Sequence, residues 1–265
     1  MRRMLRRIAC ACAIVFTGAL GGCGGGSEGG SPVAPAPTPP AAAPVPATVT
    51  PSGPNWSFRT STGTLTGLEG SFDAGGDAVT AVLAPFGSPS CFHPDPDRLQ
   101  FTGTRAGRAI QMRSQPLRGQ VVDLSGTLSD SGDAFSGAYT ITGGCAGSSA
   151  SAMTGRAVDL TGVWTGKLGN LPAVVDMQMA GAPDSSAGYE VSGTVTFSNT
   201  GCFANATITR RVRGRWLFPD IVGATQRLEL LGTASDDLST LEFSYVLVQG
   251  TCPELLEGSG RLARQ

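Results

Sequence analysis

The chain of 265 residues holds one histidine, His93, and one lysine, Lys167. A Ser–His–Asp triad would therefore have to use His93. Lys167 has no serine three residues before it, which excludes Ser-x-x-Lys chemistry. Charged residues make up only 15% and aromatics 6%. Long amphipathic helices need more Leu, Glu and Lys than this. Neither a phosphate-cradling loop nor a dinucleotide fingerprint occurs in strand–turn–helix context. The net charge is −1, but Arg2, Arg3, Arg6 and Arg7 all precede Cys23, and the remainder carries 15 basic against 20 acidic residues. A chain without a basic footprint is not a general nucleic-acid binder.

Glycine is abundant, at 38 residues. With few charges and much Ser and Thr, this suits short strands joined by tight turns. The strands show a period of two. Val191, Val195 and Phe197 share one face, and Ser192, Thr194 and Thr196 the other. Phe135, Tyr139 and Ile141 alternate with Ser136, Ala138 and Thr140, and Leu171, Ala173, Val175, Met177 and Met179 share a face. The expected fold class is all-β, with two tandem small antiparallel β-barrels or β-sandwiches of about six to eight strands each. A single continuous barrel built from both halves is a further possibility.

The chain opens on the basic run MRRMLRR, then an apolar run from Ile8 to Leu20. A membrane-spanning helix needs about 20 apolar residues, so this shorter run reads as the h-region of an export signal. Leu20-Gly21-Gly22-Cys23 follows. These residues resemble the lipobox of bacterial lipoproteins. The resemblance implies a signal peptide over 1–22, cleaved before Cys23, with Cys23 lipidated and its new amine acylated. More than one acyl chain gives a stable membrane anchor. Gly24 stands where the enteric inner-membrane retention pattern has Asp, which points to the outer membrane. Nine of the 31 residues from Gly24 to Pro54 are proline, and the start is glycine-rich. With no apolar period, residues 23–54 read as a lipidated, disordered tether, reaching roughly 90 Å when extended.

The rest reads as an internal repeat, with β domains over 55–158 and 159–265. Trp56 matches Trp164. Phe86–Phe92 matches Phe197–Phe203, and Leu124–Asp130 matches Leu230–Asp236. Thr142–Cys145 with Thr154–Arg156 matches Gln249–Cys252 with Ser259–Arg261. Four cysteines allow three connectivities. The duplication favours Cys91–Cys145 and Cys202–Cys252, because each half owns one early and one late cysteine. Export would supply the oxidising compartment. With no C-x-x-C motif after Cys23 and a single histidine, no metal or other cofactor is expected.

An early Trp, a meander and a late Cys in each half resemble lipocalin-like (calycin) barrels. That resemblance implies a carrier of an apolar small molecule, its cavity lined by residues such as Met177, Met179, Phe197 and Tyr245. His93 lies in a Pro-punctuated segment with Asp95 and Asp97, and the second half has no His or Asp pair at the matching place. This reads as a solvated loop, and the alternative is an envelope hydrolase using His93 or carboxylates. Gly25–Gly29 formally fits G-x-S-x-G, but it lies in the tether and lacks the strand and helix a nucleophile elbow needs. Arg211, Arg213 and Arg215 are spaced to share one strand face, a possible anion-binding face. The leading expectation is a non-enzymatic, lipid-anchored envelope protein. It would contact the membrane through its anchor and an envelope glycan, lipid or protein through its domains.

Overall fold

The computed structural model describes residues 54–87, 91–93, 97–180, 188–198 and 201–265. Cys23, the signal segment, nearly all of the tether and Asp95 lie outside them.

The folded part consists of two closed antiparallel barrels of eight strands each. The first comprises β1 (Asn55–Thr60), β2 (Leu65–Asp73), β3 (Ala78–Gly87), β4 (Leu99–Ala106), β5 (Ala109–Ser114), β6 (Gln120–Leu128), β7 (Ala134–Gly143) and β8 (Gly147–Ala157). The second comprises β9 (Gly162–Leu168), β10 (Leu171–Ala180), β11 (Tyr189–Phe197), β12 (Ala206–Arg213), β13 (Trp216–Val222), β14 (Arg227–Ala234), β15 (Thr240–Gln249) and β16 (Glu257–Arg264). Consecutive strands pair as a meander. Pairing of β1 with β8 and of β9 with β16 closes each sheet and removes its edges. Each half thus satisfies its own backbone, which decides against both a sandwich and one shared barrel.

The alternation seen in the sequence sets the inside and outside of each wall. In β11, Val191 and Val195 are buried while Ser192, Thr194 and Thr196 are exposed. In β7, Phe135, Tyr139 and Ile141 point inward. An eight-stranded barrel is just wide enough for side chains to fill it. The first is filled around Trp56, whose ring lies 5.0 Å from Phe72 and 5.6 Å from Phe58. The second packs Trp164, Met177, Val195, Ile208 and Leu217 into one contiguous cluster.

The two barrels repeat each other in detail. The two tryptophans occupy equivalent positions, Trp56 opposite Gly70 and Trp164 opposite Val175. A disulfide joins Cys91 to Cys145 and another joins Cys202 to Cys252, with Cα–Cα distances of 5.6 and 5.8 Å. Each ties the connection after the third strand to the short 3₁₀ turn after the seventh. Two cystines mark an oxidising, non-cytoplasmic compartment.

A further matched pair is Tyr139 and Tyr245, opposite Leu124 and Leu230 in register. The Tyr139 hydroxyl donates to the carbonyls of Thr62 and Leu65 in the β1–β2 hairpin, at 3.2 and 3.3 Å. Gly63 and Gly169 turn these hairpins at φ of 105° and 59°, and a Cβ on either would strike the tyrosine hydroxyl. One sequence match is displaced. Register pairs Thr154 with Arg59 but Arg261 with Lys167, the equivalent of Arg59. The equivalent of Arg261 is therefore Thr154, two residues from Arg156, and each lies nine residues after the later cysteine of its half.

Candidate functional site

The segment TRRVRGRW does not form one continuous arginine-bearing strand. β12 ends at Arg213, which pairs with Trp216 to close a two-residue turn of Gly214 and Arg215. Gly214 has φ of 55°, the left-handed region a tight hairpin turn demands. Arg211 stays on the exposed face of β12, whereas Arg213 is 9% exposed. Arg215 reaches Asp236 through an ion pair and donates to the Ala234 carbonyl at 3.2 Å. Nearby, Asp220 binds Arg210 at 3.1 Å and Arg227 at 2.9 Å. The basic residues on this side of the second barrel are thus closely interleaved with acids.

This turn seats on the outer wall of the first barrel. The outward-facing residues of β1 and β2 there are Asn55, Ser57, Glu69 and Ser71, all buried. Asn55 accepts from the Gly214 N–H at 2.7 Å through Oδ1 and donates through Nδ2 to the Gly214 carbonyl at 3.0 Å. The same Nδ2 donates to the Val158 carbonyl at 3.1 Å, so the carboxamide also holds the segment joining the barrels. Glu69 Oε2 accepts from the Arg215 N–H at 3.0 Å. Its Oε1 accepts from Ser57 Oγ at 3.0 Å and pairs with Arg59 at 2.5 Å. Phe86 and Trp216 stack across the joint with ring centroids 5.5 Å apart. Tyr189 donates from its hydroxyl to the Pro54 carbonyl at 3.0 Å, and Arg156 donates to the Asp236 carbonyl.

Burial pushes the Glu69 carboxyl up to about 7, against the opposing pull of Arg59, the Arg215 N–H and Ser57. Burial likewise lowers Arg59, partly offset by Glu69. Burial also raises the Tyr189 hydroxyl, helped by the Asp73 charge. A carboxylate with every partner a donor, yet buried at a joint, is costly to ionise and costly to leave unpartnered. The joint is therefore specific.

In the histidine segment, His93 and Asp97 are among the described residues. Asp97 is buried, accepts from the His93 backbone N–H at 3.0 Å, and pairs with Arg118 at 2.9 Å. These contacts of Asp97 are with backbone and arginine rather than with the imidazole. His93 itself is exposed. Among the residues expected to line a carrier cavity, Met177 and Tyr245 belong to the packed cluster, and Met179 and Phe197 pack against it. Cys202, Cys252 and Glu254 lie close together, but both sulfurs are committed to the disulfide and offer no thiolate.

Two grooves run along the outer walls. The larger, about 810 Å³, crosses β9, β15 and β16 between Lys167, Arg261 and Glu242, over a floor of Gly166, Ser259 and Gly260. The smaller, about 360 Å³, crosses β4 to β7 near Arg113 and Asp123. Among the described residues, the exposed large apolar side chains fall on the second barrel, with Val163, Val174, Leu231, Val246 and Val248 on its strands.

No protein-family model, curated protein or solved structure matches the chain. The architecture, two tandem cystine-bearing barrels, is consistent with a non-enzymatic binding module. Sequence reasoning did not single out Asn55 or Glu69. The usable signal was the pair of hairpins Ala106-Gly107-Arg108-Ala109 and Arg213-Gly214-Arg215-Trp216, the same Gly-Arg turn at equivalent places in the two halves.

Proposed function

We propose that the chain is a lipid-anchored cell-envelope protein whose two joined barrels bind a partner through their outer walls. The anchor is Cys23 and the tether behind it carries the barrels away from the outer membrane. The carrying observation is the contrast between packed interiors and apolar side chains exposed on the second barrel. Binding surfaces commonly combine such apolar positions with a polar rim. Leu231, Val246 and Val248 supply the apolar part, and the Arg227–Glu229 pair borders it. The partner class is an envelope glycan, lipid or protein, engaged without chemical turnover.

Two measurements test this reading. The wild-type chain is expected in the detergent phase of a cloud-point separation, and Cys23→Ser in the aqueous phase. Detergent partitioning of Cys23→Ser equal to wild type would overturn the anchor. The soluble Cys23→Ser protein is expected to co-sediment with isolated envelopes, and Val246→Glu added to it to sediment at least fivefold less. Equal sedimentation of the two would remove the second barrel's apolar wall as the binding surface.

A further inference from the structure

The joint between the barrels has a counterpart that the molecule leaves uncovered. Trp56 and Trp164 are equivalent, so Asn55 corresponds to Val163 and Ser57 to Thr165. Register then matches Glu69, opposite Ser57, with Val174, opposite Thr165. The two polar residues that receive the second barrel are thus replaced, on the second barrel itself, by valines. Asn55 and Glu69 are 1% and 0% exposed, and Val163 and Val174 are 40% and 42% exposed.

The other half of the joint also recurs. Arg213 and Trp216 close the hairpin that docks, and Ala106 and Ala109 close its equivalent on the first barrel. The turn glycines have matching left-handed backbones, φ of 55° at Gly214 and 61° at Gly107. The turn arginines have matching partners, Arg215 with Asp236 and Arg108 with Asp130. Asp130 and Asp236 occupy the same place in the repeated segments Leu124–Asp130 and Leu230–Asp236. In the first barrel this hairpin is exposed at Ala106, Arg108 and Ala109.

Both members of the uncovered joint differ from the covered one in the same sense. Polar Asn55 and Glu69 bind the backbone of Gly214 and Arg215, while apolar Val163 and Val174 would meet a hairpin closed by small Ala106 and Ala109. Asp176 lies opposite Val163 and is exposed beside the valines, a carboxylate within the same wall as the proposed seat for Arg108. We propose that the Gly107–Arg108 hairpin of one copy docks on the Val163–Val174 wall of a second copy, head to tail. The covered joint inside each chain is the template for the contact between chains. Such a contact uses two different surfaces, so it propagates as a chain or closes as a ring rather than stopping at a two-fold dimer. It does not depend on the lipid anchor.

The test uses purified full-length protein carrying Arg108→Cys or Val174→Cys, each with a different epitope tag, treated with a short bis-maleimide. A cross-link between the two different variants is expected when they are mixed. Neither variant alone should cross-link above one-tenth of that yield. Val163→Asp added to the Val174→Cys chain should reduce the mixed cross-link at least tenfold. Replacing Arg108→Cys by Ser136→Cys, on the outer face of β7, should do the same. Absence of the mixed product overturns the proposal. Self-linking of Val174→Cys as strong as the mixed reaction also overturns it, in favour of a wall-to-wall dimer.

Discussion

The carboxamide of Asn55 brackets the peptide of Gly214, accepting from its N–H at 2.7 Å and donating to its carbonyl at 3.0 Å. One side chain of the first barrel thereby satisfies both backbone groups of a turn in the second. Replacing it with alanine leaves a buried N–H and a buried carbonyl without this partner, a loss of about 1–3 kcal/mol. Asn55→Ala is therefore expected to loosen the joint first. Calorimetry should show the barrels unfolding in two steps where wild type shows more nearly one. Asn55→Asp keeps the acceptor, loses the donor and adds charge beside Glu69, and should be at least as damaging.

Glu69 gives the joint a pH dependence with a definite sign. Its carboxyl is raised from 4.5 to about 7 by burial, so the folded state keeps a proton that the unfolded chain releases. Stability from this group is fully present below about 4.5 and falls as pH rises through about 7. The span of the shift bounds the effect at about 3 kcal/mol. Glu69→Gln, neutral at every pH, should abolish this component. The difference in urea-unfolding free energy between wild type and Glu69→Gln should move against wild type as pH goes from 5 to 8. A flat difference would mean that Arg59 and the Arg215 N–H outweigh burial.

Phe86 and Trp216 stack across the joint with a 5° interplanar angle and 5.5 Å between centroids. Aromatic pairs of this kind contribute about 0.5–1.5 kcal/mol beyond buried area. A double-mutant cycle with Phe86→Leu and Trp216→Leu should return a coupling energy in that range. A coupling near zero would show that the rings are adjacent without being energetically linked.

Each cystine closes a long loop, with sequence separations of 54 and 50 residues. Loops of this size are worth about 4 kcal/mol in the chain-entropy account. The double variant Cys202→Ala with Cys252→Ala should lower unfolding free energy by about 2–5 kcal/mol in urea titration. Non-reducing peptide mapping of that variant should still recover the Cys91–Cys145 peptide, because that staple lies wholly within the first barrel.

Much of the architecture was legible in local pattern. Val191, Val195 and Phe135 declared their inward face through alternation, and Trp56 with Trp164 declared the repeat. The arginines of TRRVRGRW misled, because alternation assumes an unbroken strand. Gly214 bends the chain after Arg213 and sends Arg215 toward Asp236. The tyrosine hydroxyl of Tyr139 found its hairpin carbonyls across 77 and 74 residues, a pairing that no short spacing encodes.

By itself, the sequence determined the all-β class, the duplication and the within-half choice of cysteine partners, since periodicity and repeat order are local or self-referential properties. Only the tertiary structure decided that the sheets close as two barrels and that Asn55 and Glu69 are buried while Val163 and Val174 are not. Alternation separates the inner face of a wall from the outer. Whether a second domain then covers that outer face depends on the placement of a distant hairpin, and that placement is a property of the assembled fold.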